Sequence, residues 1–284
     1  MLQKTLSALL LAAGLLYGCA ILALSWRDRA RMRAERGSWL MLAAAEFLIF
    51  VCASVGISDF LPNTLLIKNA KLTGDREIPG TLVGCGLLPG AIIASSLLGS
   101  SGPISPLMLA LCGICVVVGS AVGARLVSRF DGAGVKRIMV IALVLSFFIL
   151  IGRMVLSAGA AGTATSLPLP LLLLAAVLCL VTAGINMFGI PMKATWTAMF
   201  LILGLSPMTA LTLVLVLASL TPISGGISVL KNGLYHRRAV LCSTLFGSAG
   251  ALVGTAAAVS LPANVLNVIL LVVMAIAIVT MAKK

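Results

Sequence analysis

Nine apolar segments, each about twenty residues long, restrict this chain to very few kinds of fold. They lie near residues 5–25, 39–58, 80–99, 105–127, 136–156, 168–188, 208–229, 239–259 and 262–282. A helix of about twenty residues, rising ~1.5 Å per residue, crosses the hydrocarbon core of a bilayer. Only 10% of the residues are charged and the mean hydropathy is +1.21, a balance that water-soluble domains do not have. The sequence therefore predicts an all-α, polytopic membrane protein.

The net charge of +13 comes from basic residues that are spread over short loops between these segments. Proteins that bind nucleic acid gather such residues on one face, so nucleic acid is not a predicted partner. In a membrane protein, excess Lys and Arg mark the cytoplasmic loops, which lie beside anionic lipid headgroups. We therefore expect the lipid bilayer, with anionic lipids at the cytoplasmic loops, to be a partner.

The positions of the basic residues also predict how the segments cross the membrane. If all nine segments cross, nine of the twenty basic residues fall outside, against the positive-inside rule. If residues 39–78 and 168–206 instead form re-entrant hairpins, each returning to its own side, seventeen of the twenty are cytoplasmic. This arrangement predicts a multi-pass protein of the bacterial cytoplasmic (inner) membrane, with its N-terminus outside and its C-terminus in the cytoplasm.

Glycine and proline interrupt the apolar pattern inside both predicted hairpins. The interruptions are Gly-Ile-Ser-Asp-Phe-Leu-Pro at 56–62 and Gly-Ile-Asn-Met-Phe-Gly-Ile-Pro at 184–191. A single offset along the chain aligns Gly56 with Gly184, Asp59 with Met187 and Pro79 with Pro207. Broken helices at corresponding positions of two halves indicate the binding site of a secondary transporter.

Glycine pairs at helical spacing recur in both halves, at Gly119/Gly123 and at Gly250/Gly254. Such pairs allow two helices to approach closely, so we expect them to be part of the scaffold. Each half then contains one broken or re-entrant hairpin followed by three transmembrane helices. Because three crossings are an odd number, the second repeat is predicted to be inverted relative to the first.

The predicted organisation has four parts. They are an N-terminal transmembrane helix with its basic cytoplasmic loop (1–36), a first transmembrane repeat (37–157), a linker (158–167) and a second transmembrane repeat (168–284). The first apolar run continues past Cys19, and five arginines follow between Arg27 and Arg36. We therefore expect a retained signal-anchor helix rather than a cleaved signal peptide.

Three glycine-rich motifs carry a family resemblance. They are Gly-Leu-Ser-Pro-Met-Thr-Ala at 204–210, Lys-Asn-Gly at 231–233 and Gly-Ser-Ala-Gly-Ala-Leu-Val-Gly at 247–254. Over residues 39–282 the sequence resembles the TauE/SafE family of membrane transporters, the sulfite and organosulfonate exporter group. The resemblance implies transport of a small anion, such as sulfite, sulfoacetate or a related organic acid.

Lys193 is the main candidate for binding such an anion. It precedes a short half-helix at 194–203, and the N–H groups of a helix N-terminus attract anions. The alternative is that its side chain extends to a membrane interface. Asn186, Thr195 and Trp196 complete this part of the predicted substrate site. Asn186 donates to an oxyanion or caps the backbone, while Trp196 forms an apolar wall or belongs to the aromatic belt at the membrane interface.

The first hairpin supplies four further candidates. Ser58 and Asn63 are predicted to donate hydrogen bonds to the substrate. Glu46 lies deep in an apolar segment, where burial favours the neutral carboxyl group, so it is a predicted proton carrier. The alternative for Glu46 is a partner for Lys193 or for a loop arginine. Asp59 is the other predicted proton carrier, or it caps a half-helix that begins near Asn63.

Other functions remain open at this point. Cys112 and Cys115 form a C-x-x-C pattern that serves either packing or a transmembrane thiol–disulfide electron carrier. A non-transporting membrane assembly factor is a further alternative. The sequence contains no phosphate-binding loop, nucleophile constellation or metal-ligand cluster, so we predict neither an enzyme nor a cofactor or metal. His236, in a basic loop, is expected to be solvated.

Overall fold

The computed structural model describes residues 2–54, 58–100, 104–127, 163–187 and 192–258. Within them the chain is all-helical, as predicted. The helices are α1 (Leu2–Arg27), α2 (Arg29–Ala34), α3 (Trp39–Ser54), α4 (Phe60–Asn69), α5 (Ile78–Ser100), α6 (Pro106–Val127), α7 (Leu169–Asn186), α8 (Lys193–Ile202), α9 (Pro207–Asn232), α10 (Arg237–Cys242) and α11 (Ser248–Ala258). A 3₁₀ turn (Asp75–Glu77) precedes α5, and a π-helical turn (Ser243–Gly247) joins α10 to α11. The predicted spans 136–156 and 262–282 lie outside the described residues.

Five helical stretches of the described chain are long and apolar enough to cross a membrane. They are Gln3–Arg27, Asp75–Leu98, Pro106–Leu126, Leu169–Asn186 and Arg237–Ala257. Trp39–Ser54 and Thr209–Ile223 are shorter apolar helices. These lengths and compositions are those of a membrane-embedded helical protein, as the sequence predicts.

The first helix is an integral part of the bundle. A Cβ added at Gly14 would lie 2.5 Å from Ala91 Cβ in α5, so α1 and α5 are in close contact. The Tyr17 hydroxyl donates to the Ile223 carbonyl of α9 at 2.6 Å. The first helix therefore packs against two later helices of the bundle.

Three basic connections meet at one end of the bundle, which we call the basic end. Met32, Leu72 and Tyr235, from the segments that follow α1, α4 and α9, pack into one hydrophobic cluster. The Arg237 guanidinium also donates to the Asp28 carboxylate at 2.9 Å. The grouping of these loops at one end is what the positive-inside argument requires, since it places all three on the same side.

The first hairpin, α3 and α4, enters from the basic end. A Cβ added at Gly37, just before α3, would lie 2.8 Å from the Leu72 side chain, just after α4. The chain therefore runs inward along α3 and returns along α4 to the end from which it came. The tip residues 55–57 lie outside the described part of the chain.

The second hairpin, α7 and α8, enters from the opposite end. Ala164, before α7, accepts a hydrogen bond from the backbone N–H of Ser206, after α8, at 2.8 Å. Leu205 packs in one cluster with Leu10, near the start of α1, and with Ile104, which lies between α5 and α6. These residues lie at the far end of α5 from the basic end, so the two hairpins enter from opposite ends.

The glycine pairs hold the inward limb of each hairpin against a helix from the other half. A Cβ added at any of the four glycines would clash with a backbone carbonyl oxygen of that limb. The contacts are Gly119 with Leu180, Gly123 with Gly184, Gly250 with Phe47, and Gly254 with Val51. The prediction that these glycines allow close helix approach is thus confirmed.

These contacts also correct the predicted alignment of the hairpins. Because Gly123 touches Gly184 and Gly254 touches Val51, the position equivalent to Gly184 is Val51, whereas the sequence alignment paired Gly184 with Gly56. The separation between Val51 and Gly184 is also the separation between Phe60 and Lys193, which are the first residues of the half-helices α4 and α8. The predicted alignment is therefore wrong within the hairpins. The predicted alignment matched Pro79 with Pro207. These prolines come after the hairpins, and the segments that connect them to α4 and α8 differ in length.

Candidate functional site

A cavity lies at the centre of the bundle, where the second limbs of the two hairpins begin. Gly86 and Gly90 line it near the middle of α5, and Ala218 and Pro222 line it on α9. Its volume outside protein atoms is about 500 Å³, including the space at its open side. Its polar and aromatic lining residues include Ser58, Asp59, Asn186, Lys193, Trp196 and Ser219.

Lys193 and Asp59 form an ion pair inside this cavity. The Lys193 ammonium donates to Asp59 Oδ1 at 2.5 Å, and the side chains are 15% and 6% exposed. The two residues stand at the beginnings of α8 and α4, so both half-helix N-termini face the same small space. Buried charges of this kind need a partner, and here each provides the partner of the other.

This pairing decides several of the alternatives for charged residues. The half-helix α4 begins at Phe60 rather than near Asn63, and the Asp59 side chain does not cap it. The carboxylate instead points to Lys193, so the capping prediction is wrong. Lys193 does not extend to a membrane interface, and its partner is not Glu46.

The remaining predicted substrate residues are divided between the cavity and its surroundings. Ser58 and Asn186 line the cavity, and the buried Ser58 Oγ has no hydrogen-bond partner among the residues described. Thr195 is half-buried on α8 and is not among the lining residues. Asn63 lies behind the cavity, beside Glu46.

Trp196 forms one wall of the cavity. Its side chain is 1% exposed, and its indole N–H donates to Thr182 Oγ1 of α7 at 2.6 Å. A buried indole usually finds such a partner, which fixes the orientation of the ring. The alternative that Trp196 belongs to an aromatic belt is therefore wrong, because a belt residue lies at the membrane–water interface.

Glu46 is completely buried next to this site, at 0% exposure. The Cys85 thiol of α5 donates to Oε1 at 3.6 Å, and the side chains of Ser243 and Asn63 adjoin the carboxyl group. Within the described residues, Oε2 of Glu46 and Oδ1 of Asn63 have no hydrogen-bond partner, and no basic side chain pairs with Glu46. Lys193 pairs with Asp59 instead, so that version of the ion-pair alternative for Glu46 is wrong.

A proline in α5 explains part of the Glu46 environment. Pro89 lacks an N–H, so the carbonyl four residues earlier, that of Cys85, loses its helical donor. The Ser243 hydroxyl donates to this carbonyl at 2.8 Å. Ser243 begins the π-helical turn, a feature often found at functional sites.

The predicted second repeat contains a matching proline in α9. The offset from Pro89 to Pro222 equals the offset from Phe60 to Lys193, so the two prolines match in the corrected alignment. The carbonyl that Pro222 frees belongs to Ala218, which lies in the cavity wall. Both long helices are therefore interrupted beside the cavity.

The sequence reasoning missed Cys85, Ser243 and Pro222. Pro89 and Pro222 were a usable signal, because a proline inside a long apolar segment of both halves predicts matching helix breaks. Ser243 and Cys85 gave no such signal, since a lone hydroxyl or thiol in an apolar run is usually a packing residue.

Cys112 contacts a cysteine of another helix. Its thiol interacts with that of Cys179 in α7, and both side chains are fully buried. In the alignment that matches Gly119 with Gly250, Cys112 corresponds to Ser243. In the corrected alignment of the hairpins, Cys179 corresponds to Glu46. The redox alternative requires Cys112 to pair with Cys115, whereas the structure brings Cys112 into contact with Cys179 of the second hairpin.

A hydrogen-bond network at the basic end of the bundle was not predicted from the sequence. Glu35 accepts hydrogen bonds from the backbone N–H groups of Arg237 and Arg238, at 3.0 and 2.8 Å. An acidic side chain at a helix N-terminus is favourable, and Glu35 supplies it to α10 from a different segment. The Arg238 guanidinium donates to the carbonyls of Met32 and Arg33, at 2.9 and 3.0 Å.

His236 belongs to this network and is 2% exposed, so the expectation that it is solvated is wrong. Its Nδ1 accepts from the Ala239 N–H at 3.1 Å and caps α10, and its own backbone N–H donates to Thr81 Oγ1 at 2.9 Å. Burial lowers the pKa of His236 below its ordinary value of 6.5, partly opposed by the nearby Glu35 carboxylate.

Comparison with known proteins finds no family model, curated protein or solved structure that matches this chain.

Proposed function

We propose that the protein is a secondary transporter that moves a small anion across the bacterial cytoplasmic membrane. The anion is sulfite, an organosulfonate or a short organic acid. The observation that carries the proposal is the central cavity, which combines the Lys193 ammonium with two half-helix N-termini. An intramembrane ionisable residue in such a place is expected to be functional. The TauE/SafE resemblance stays a prediction from the sequence, because no family model matches the chain.

The substrate lies in the cavity, between the starts of the two half-helices. Lys193 neutralises its charge, the N–H groups at the starts of α4 and α8 attract it, and Ser58 and Asn186 offer hydrogen bonds from the cavity wall. Trp196 supplies an apolar part of the same wall. A pocket of this kind, mostly apolar with a few polar groups, suits a small ligand.

Alternating access arises from two inverted repeats that move against each other. In support, the hairpins enter from opposite ends of the bundle, and each inward limb packs on a glycine pair of the other repeat. Such crossed packing allows one repeat to rock as a unit around a fixed central site. The N-terminus is then outside, and the arginines between α1 and α3 face cytoplasmic anionic lipids.

Transport is coupled to protons through Glu46 or Asp59. Glu46 is completely buried, and none of the described basic side chains pairs with it, so its carboxyl group is stable in its neutral form. Asp59 is in the cavity itself, and its charge acts on Glu46. Both groups are therefore positioned to gain or lose a proton when the contents of the cavity change.

A flux assay in proteoliposomes tests the proposal with sulfite, sulfoacetate and short carboxylates. We expect uptake of at least one of them, and a loss of at least about tenfold in the Lys193→Ala variant. Lys68→Ala is the matched control, because Lys68 pairs with Asp75 at the basic end, at 3.7 Å, away from the cavity. Flux at the parent level in Lys193→Ala would exclude this site, and no flux of any anion would favour an assembly factor.

A further inference from the structure

We propose that Asp59 and the transported anion compete for Lys193, so that each anion enters the cavity together with one proton carried by Asp59. The inference rests on the proposed function. It selects Asp59 over Glu46 as the coupling group and identifies the substrate as a small monoanion.

The first argument is the position of the ion pair. Asp59 Oδ1 and Lys193 Nζ are 2.5 Å apart, and both residues line the cavity. Of the described residues that line the cavity, Lys193 is the one with a basic side chain. An anion that binds the ammonium is therefore brought next to the Asp59 carboxylate, and the two negative charges repel each other.

The second argument is the charge balance of the site. The titratable groups that face Asp59 are Lys193 from α8, Glu46 from α3 and Cys85 from α5. With Glu46 and Cys85 neutral, the Asp59–Lys193 pair carries no net charge. A bound anion adds one negative charge in a site shielded from water, where charge is costly. One proton on Asp59 restores neutrality.

The exchange balances without any electron transfer. A proton from solution forms an O–H bond with the Asp59 carboxylate, and the Asp59–Lys193 ion pair is replaced by an ion pair between the anion and Lys193. Release of the anion reverses both changes. Occupancy by the anion and protonation of Asp59 are then the same event, which is the requirement for coupled transport.

An independent observation points to a ligand at this place. Ser58, next to Asp59 in the chain, is only 9% exposed. It lies in the cavity lining, and its hydroxyl has no hydrogen-bond partner within the part of the chain that the structure describes. A buried hydroxyl without a hydrogen bond is unfavourable. An oxyanion held on Lys193 supplies the missing acceptor.

The test measures the number of protons that the purified protein takes up with each anion. The probes are methanesulfonate and 2-hydroxyethanesulfonate, because a sulfonate stays ionised between pH 5 and pH 8 and every proton taken up then belongs to the protein. Titration calorimetry in buffers of different ionisation enthalpy gives the proton count. We expect about one proton per anion, and an affinity that falls about tenfold per pH unit where Asp59 has to be protonated.

Two variants make the assignment specific. Asp59→Asn keeps the shape of the side chain but cannot exchange a proton, so we expect it to bind the sulfonate without proton uptake and without pH dependence. Asp75→Asn removes the same charge from an exposed position at the basic end and is expected to behave as the parent. Should Asp59→Asn not fold, Glu46→Gln makes the assignment: we expect it to keep the uptake of about one proton per anion, and loss of that uptake would overturn the inference in favour of Glu46.

The outcomes separate the inference from the proposed function. Binding by the parent that depends on Lys193 but takes up no proton overturns the inference and leaves the transporter proposal standing. Proton uptake that persists in Asp59→Asn overturns it in favour of Glu46. If neither sulfonate, sulfite nor a short carboxylate binds, the proposed function fails, and the inference with it.

Discussion

The carboxylate of Asp59 and the ammonium of Lys193 are 134 residues apart in the chain and 2.5 Å apart in the structure. Each residue stands at the beginning of a ten-residue half-helix, and the two half-helices belong to hairpins that enter the bundle from opposite ends. The ion pair therefore joins the two halves of the protein at its centre. Any movement of one half against the other changes the environment of both charges.

The stability of the Asp59–Lys193 pair is predicted to depend on both partners together. Lys193→Met leaves a buried carboxylate unpaired, which costs about 3–5 kcal/mol. In the Asp59→Asn/Lys193→Met double variant neither charge remains, so most of the lost stability should return. Thermal unfolding in detergent measures the four proteins of this cycle. Additive losses in the double variant would mean that the two side chains do not interact.

The glycine contacts predict strong sensitivity to the smallest side chain. In Gly250→Ala and Gly119→Ala the new methyl group clashes with a backbone carbonyl of α3 or α7. Because backbone moves less readily than a side chain, we expect a loss of about 1–3 kcal/mol or more.

Gly74→Ala is the control for these two variants. Gly74 has no heavy atom within 4 Å of an added Cβ, and its φ of −75° suits any L residue. Its unfolding temperature should equal that of the parent. Equal unfolding temperatures for all three variants would contradict the close packing of the hairpin limbs.

The single histidine of the chain predicts a pH dependence of stability. Burial lowers the pKa of His236, so the unfolded chain binds the proton more readily than the folded one. Stability is then highest above pH 6.5, the ordinary value, and decreases as the pH falls towards the lowered pKa of the folded state.

His236→Asn is the variant that checks this origin. Asparagine also caps helices and can accept from the Ala239 N–H as Nδ1 does, but it does not titrate. Unfolding temperatures measured from pH 7.5 to 5.5 should fall for the parent and change less for the variant. A parallel fall in both proteins would assign the effect to other groups.

The cysteine pair provides a test between functions. A thiol–disulfide carrier requires Cys112 and Cys115, whereas Cys112 is fully buried and contacts Cys179. We therefore expect the Cys112→Ser/Cys115→Ser double variant to retain anion flux within about threefold of the parent. Loss of flux with normal folding would support the redox function, and trapping of a mixed disulfide with a partner protein would do so directly.

The positive-inside argument predicted the hairpins from charge alone. It required residues 39–78 to return to the end carrying the arginines after α1, and the contact of Gly37 with Leu72 places both ends of this hairpin there. Loop charge is a local property of the sequence, so it can be recognised along the chain. Which carbonyl a glycine touches is not local, and so the sequence alignment paired Gly184 with Gly56 instead of Val51.

The candidate site shows the same division between local and distant effects. Lys193, Asp59, Ser58, Asn186 and Trp196 were recognised from their place beside the two interruptions, and they do line one cavity. Their partners were not recognised. For Asp59, the only partner that the sequence offered was the backbone of its own helix, because a sequence shows near neighbours and hides those that packing brings together.

The sequence by itself determined that this chain forms apolar helices of membrane-spanning length, that these are broken twice, and that charged groups stand at the breaks. Hydrophobic length, proline and charge act over a few residues, so they can be recognised along the chain. Only the tertiary structure decided that Asp59 contacts Lys193, that Glu46 is completely buried, and that Trp196 forms a wall of the cavity. These contacts depend on the distance between neighbouring helices. That distance is set where glycines in one half of the chain pack against backbone carbonyls in the other half.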